Sequence, residues 1–172
     1  MEENWRGTVR VDRPVAEVYR YLADFPKHCE WAQTLDRMER VEPGDARGVG
    51  ARYLTYERQR FQSDRKPREP LTKGFAGKTM CYVDELVPDR RIAWHAHPVP
   101  RLPFRAECAF ELAPAADGRG TVVTQTIRMH QNPLLMRVFG LLMGASPEKA
   151  RAQWNASLQN VKTVLESEAP AR

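Results

Sequence analysis

The sequence predicts an α+β fold: a curved antiparallel sheet of about six to seven strands around a long C-terminal helix, with two short helices after the first strand. Three observations lead there. One strand-like stretch is followed by helical spacing, a run of alternating stretches comes next, and a long amphipathic stripe closes the chain. The 172 residues, 42% apolar and 28% charged, suit one domain with a real core rather than a disordered chain.

Trp5 to Val11 alternates polar with apolar residues and reads as the first strand. Asp12-Arg-Pro stops it and starts a helix whose stripe is Val15, Val18, Tyr19 and Leu22. Asp24-Phe-Pro breaks that helix, and a second short one runs to Trp31. Strands follow at Leu35–Val41, Ala51–Tyr56, Met80–Val87, Ile92–His97, Phe104–Leu112 and Thr121–Met129. In Phe104–Leu112, Phe104, Ala106, Cys108, Phe110 and Leu112 point one way, while Arg105, Glu107 and Glu111 point the other. One dry face and one wet face mean an antiparallel sheet covered on a single side. The covering element is the last helix, Ser146 to Ser167, with Pro147 at its first position and Ala150, Trp154, Leu158, Val161 and Leu165 on one face.

Two stretches stand outside this scheme. Residues 57–78 hold seven basic against three acidic side chains, nearly the whole net charge of +5, and read as a basic insertion in a long loop. A solvated charged loop is the plainer reading. Transient contact with a membrane surface or an acidic partner is the functional one. Residues 133–145 are almost wholly apolar yet too short to span a bilayer, so they suit a buried helix, a lid or a homodimer face. The domain is expected to cover 1–167, with a frayed tail at 168–172.

The start, Met1-Glu-Glu-Asn-Trp, has neither the basic nor the apolar region of a secretory signal, so the expected location is cytoplasmic. Cys29, Cys81 and Cys108 are far apart and form no Cys-x-x-Cys pair, which suits reduced thiols better than disulfides or a zinc ribbon. No phosphate loop, nucleophile elbow or dinucleotide fingerprint is present, and the aromatic-basic pattern of single-strand nucleic-acid binders is missing. No cofactor and no metal are expected.

Val9-Arg-Val-Asp-Arg-Pro-Val-Ala-Glu-Val-Tyr-Arg-Tyr-Leu-Ala-Asp-Phe, Trp31 soon after it, and Glu85-Leu-Val-Pro-Asp-Arg-Arg-Ile-Ala-Trp together resemble the START-related polyketide cyclase/dehydrase (SRPBCC) superfamily. The resemblance covers roughly Arg6 to Leu165. It implies a helix-grip fold enclosing an apolar cavity that binds lipids, polyketides or similar molecules, and in some members cyclises or dehydrates them.

A pocket of that kind needs apolar walls and a few aimed polar groups. The candidate ligand-binding residues are Tyr53, Trp94, Cys108, Phe110, Gln125, Ile127, Phe139, Met143, Trp154 and Leu158. For each aromatic, plain core packing is the competing reading. Gln125 lies among apolar neighbours, and its amide must be satisfied by protein, water or ligand. His95 and His97 share one strand face. With Glu107 or His130 they are candidates for a metal, and with Tyr53 for proton transfer. If Trp94 points inward, both histidines point out.

The function expected is therefore a protein that binds a hydrophobic small molecule between sheet and helix. The alternatives are a cyclase- or dehydrase-type enzyme, and an interaction module built on the basic insertion.

Overall fold

The computed structural model describes residues 3–57, 78–97, 105–130 and 147–167. Seven strands form one sheet: β1 (Glu3–Val11), β2 (Leu35–Glu42), β3 (Arg52–Glu57), β4 (Lys78–Val87), β5 (Arg91–His97), β6 (Arg105–Pro114) and β7 (Thr121–His130). Their order is β1-β7-β6-β5-β4-β3-β2, and every neighbouring pair is antiparallel. The strands from β2 to β7 form a simple meander, and β1 joins beside β7. Helices α1 (Val15–Ala23) and α2 (His28–Trp31), with a 3-10 turn between them, connect the two edges. The last helix, α3 (Pro147–Ser167), opens with Pro147 as its sequence implies. Ser146, the expected cap, lies outside the described residues, as do 58–77 and 133–145.

Alternation sets which side of the sheet is dry. Trp5, Val9, Val11, Val83, Ile92, Trp94, Phe110, Leu112, Val123 and Ile127 are buried, while Arg6, Asp84, Glu111 and Arg128 are not. Register shifts in β2 and between Val83 and Glu85 of β4 bend the meander, so the dry side is concave. In α1 the buried face holds Val18, Tyr21 and Leu22. Tyr21, absent from the expected stripe, turns in because its hydroxyl donates to Glu30 Oε2 at 2.9 Å.

Helix α3 buries Ala150, Ser157, Leu158, Val161 and Leu165 against β1 and α2. Polar contacts fix its position. Asn160 Nδ2 donates to the Trp31 carbonyl at 3.1 Å, and the Gln33 amide donates to Ser157 Oγ at 3.3 Å. At its C-terminal end, Arg13 Nε donates to the Leu165 carbonyl at 2.9 Å, satisfying an otherwise orphaned group.

Gly7 lets the helix come this close to the sheet. A Cβ there would stand 2.5 Å from Trp5 Cζ2 and 2.9 Å from Leu158 Cδ2. Gly7→Ala is expected to destabilise the protein by about 1–3 kcal/mol, because both neighbours are buried and must shift. Urea unfolding of the variant checks this; an unchanged midpoint would mean that α3 rides further from β1.

Candidate functional site

The cross-strand registers bring most of the predicted residues onto the concave face. One row runs Val83, Trp94, Cys108, Ile127, Trp5 across β4, β5, β6, β7 and β1. The next runs Ile92, Phe110, Gln125, Gly7. From α3, Trp154 meets Trp5 with ring centroids 5.8 Å apart, and Leu158 packs over Gly7. Tyr53 reaches the same face from β3 and stacks on Phe25 at 5.0 Å. Phe139 and Met143 lie outside the described residues.

The two ends of this face differ. At the α1–α2 end, Phe25, His28, Trp31, Trp94 and Phe110 form one aromatic cluster. Phe25 lies 4.8 Å from His28, Trp94 5.4 Å from Phe110, and Trp31 5.6 Å from Phe110. That end is filled. Beyond the Trp94 row the side chains shrink to Cys81, Ala96 and Ala106, one small row across β4, β5 and β6. Ala106, Cys108 and Met129 stay partly accessible there.

Polar groups interrupt the apolar surface at a few points. Gln125 is 4% exposed, and its Oε1 has no hydrogen-bond partner among the described residues. The Trp31 indole N–H is likewise unpartnered among them. Both residues neighbour Phe110, Gln125 as its cross-strand partner and Trp31 with its ring edge-on. Orphaned buried groups of this kind are uncommon and mark places where something else can bind. His28 Nε2 donates to the Leu22 carbonyl at 2.8 Å. Complete burial lowers the His28 pKa to about 4, so its imidazole is neutral.

Among the described residues, the concave face also carries a carboxyl, Glu57, which the sequence places at the start of the basic stretch 57–78. Glu57 is the last residue of β3, two and four places after the inward Thr55 and Tyr53. Thr79 Oγ1 donates to Glu57 Oε1 at 3.0 Å, and Thr55 Oγ1 donates to the Thr79 carbonyl at 3.0 Å. Burial pushes the Glu57 pKa up to about 7, and the Thr79 hydrogen bond opposes it. Burial also pushes the Cys81 thiol up to about 12, with Glu57 adding to the shift, and raises Cys108 further. Both thiols are free and protonated at neutral pH. Alternation continued two residues past Tyr53 and Thr55 would have found Glu57; the surrounding arginines and lysines concealed it.

The other candidate acid–base residues lie on the convex face. His95 stacks on Tyr82 at 4.8 Å and pairs through Nδ1 with Asp84 at 2.8 Å. His97 sits beside His95 at 5.4 Å. His130 Nε2 pairs with Glu107 Oε2 at 3.1 Å, and this contact holds the Glu107 carboxyl below its usual range. Trp94 points in, so these four residues point away from the concave face. Among the described residues no three potential ligands converge on a metal site. No helix among them is long and apolar enough to cross a membrane.

Comparison with known proteins agrees with this architecture. A family model described as polyketide cyclase / dehydrase and lipid transport matches residues 4–166. Among solved structures, CV1439 from Chromobacterium violaceum superposes with a TM-score of 0.65 at 20% identity, covering 96% of this chain and 98% of that one. The Zhui aromatase/cyclase from Streptomyces sp. R1128 gives 0.62 at 18% identity, covering 96% and 94%. The di-domain aromatase/cyclase BexL of the BE-7585A biosynthetic pathway gives 0.66 at 18% identity, with 98% of this chain on 51% of that one. No curated protein sequence matches the chain.

Proposed function

Because the chain belongs to the polyketide cyclase/dehydrase and lipid-transport family, we propose that it binds a hydrophobic small molecule on the concave face, at the small-residue end beyond Trp94. The single observation that carries this reading is the change in side-chain size along that face. Large rings fill one end, whereas the small side chains of Cys81, Ala96 and Ala106 line the other, where Ala106, Cys108 and Met129 stay partly accessible. A ligand seated there would meet apolar walls on the sheet side.

The direct test fills the space. Ala106→Phe is expected to weaken binding of the apolar fluorophore N-phenyl-1-naphthylamine by about tenfold or more, since a ring would occupy the guest's volume. Circular dichroism should show the sheet intact. Native mass spectrometry of the purified wild-type chain should show a bound lipid-like mass. No fluorophore uptake and no retained mass would overturn the reading.

A second reading, an enzyme of the cyclase or dehydrase type, is favoured by Glu57. It is an inward carboxyl with a pKa brought to about 7, the range in which a side chain can both take and return a proton. Tyr53 also faces inward, but Arg40 hydrogen-bonds its phenol. Turnover of a poly-β-ketone model substrate by wild type, lost in Glu57→Gln while fluorophore binding persists, would favour this second reading. The interaction-module alternative rests on residues 57–78, of which only Glu57 and Lys78 are described; Glu57 turns inward.

A further inference from the structure

We propose that Glu57 is the polar anchor of the concave site and sets its selectivity. The site takes amphiphiles whose polar end is an uncharged or cationic hydrogen-bond donor, an alcohol or an ammonium, and turns away those that end in a carboxylate. This inference rests on the binding reading above and names the chemistry of its ligand.

Geometry carries the argument. Glu57 closes the small-residue end of the face, beside Thr55, Thr79 and Cys81. Thr79 occupies one carboxyl oxygen, and among the described residues no donor reaches the other. Nor does any described cation pair with it; its surroundings act on it through burial and the Thr79 hydroxyl. A half-buried, partly desolvated carboxyl without a cation is costly, and a ligand that brings a donor relieves that cost. A ligand that brings a second carboxylate adds like-charge repulsion in a poorly screened place. At the other end of the apolar stretch, Gln125 and Trp31 are neutral and exert no such selection.

The charged and titratable groups near Glu57 leave this assignment in place. On β4 the inward neighbour is Cys81, whose thiol stays protonated. On β3 it is Tyr53, also uncharged, its pKa raised by burial. On β2, Arg40 engages Tyr53, and Asp36 lies at the bulge opposite. Lys78 points the other way, its Nζ 5.2 Å from the centre of the Tyr56 ring. Cys108 on β6 is protonated as well.

Competition on the full chain tests the assignment. At pH 8, decanol, decylamine and decanoate are titrated against bound N-phenyl-1-naphthylamine. Decanol and decylamine should displace it at concentrations at least about tenfold lower than decanoate, the size expected of one hydrogen bond to a charged group. Glu57→Gln should bring decanoate level with decanol. At pH 5.5 the wild-type preference should shrink in the same way, a second measurement that needs no variant. Equal displacement by all three at pH 8, or a preference that survives both the substitution and the lower pH, would overturn the inference while leaving the binding reading intact. Failure of the fluorophore to bind wild type at all would remove both.

Discussion

Replacing Phe110 by Ala is expected to lower the unfolding free energy by about 3–5 kcal/mol, the range for truncating a fully buried ring. The ring is wholly buried. It lies between Trp31 at 5.6 Å and Trp94 at 5.4 Å, with His28 edge-on at 6.3 Å. Deletion removes its transfer free energy and leaves a hole walled by flat rings. Those rings cannot collapse inward, because Phe25 stacks on both His28 and Tyr53 and holds the far side of the cluster. A site that cannot collapse keeps its cavity, which places the loss at the upper end of the range for large-to-small changes. Urea unfolding gives the number, and Val41→Ala, at an exposed position, serves as a control within about 0.5 kcal/mol of wild type. A Phe110→Ala loss near 1 kcal/mol would mean that the aromatic end is loosely packed and that the two ends of the concave face do not differ as described. The proposed location of the ligand would then lose its basis.

The fold and the inward-facing residues were legible because they depend on period and order. Alternation in Phe104–Leu112 marks the inward residues of β6, and the three- and four-residue steps from Ala150 to Leu165 mark the buried stripe of α3. The inward turn of Trp94 follows from the same counting, and with it the outward turn of His95 and His97. Tertiary choices were not legible. Nothing local says that Tyr21 rather than Tyr19 buries its ring, since that depends on Glu30 arriving within hydrogen-bond reach. Gln125 was visible as a buried amide, but that its Oε1 meets no partner among the described residues depends on how the neighbouring elements pack. Trp31 and His28 could be read only as the end of a short helix; their place against Phe110 comes from how α2 crosses the sheet. Glu57 is the instructive case. Composition averages over a window, and a window containing seven cations hides one carboxyl that obeys the strand's alternation.

Glu57 and His28 together are expected to give an unusual dependence of stability on pH. Both are held in their neutral forms by burial, but their slopes oppose each other. The folded pKa of His28 is about 4, below the 6.5 of an unfolded histidine. The unfolded chain therefore binds the proton more readily, and the His28 contribution is intact above pH 6.5 and lost as pH falls toward 4. The folded pKa of Glu57 is about 7, above the 4.5 of an unfolded glutamate. Here the folded chain holds the proton more tightly, and the contribution is complete below pH 4.5 and lost as pH rises through 7. Each displacement of about 2.5 pH units corresponds to about 3 kcal/mol. Between pH 4.5 and 6.5 the two nearly cancel, so wild-type stability should stay almost level with respect to this pair. Each variant should uncover the other's slope. Glu57→Gln should gain stability as pH rises from 4 to 6.5 and then level off, with its advantage over wild type greatest above pH 7. His28→Phe keeps a ring in the cluster but gives up the bond to Leu22, so its absolute stability falls. Its diagnostic is the slope, a loss of about 3 kcal/mol as pH rises from 4.5 to above 7. Urea unfolding of the three proteins at half-unit pH steps reads all of this. If Glu57→Gln runs parallel to wild type across that range, the carboxyl is not the desolvated group the concave face makes it, and its roles as anchor and as proton carrier fail together.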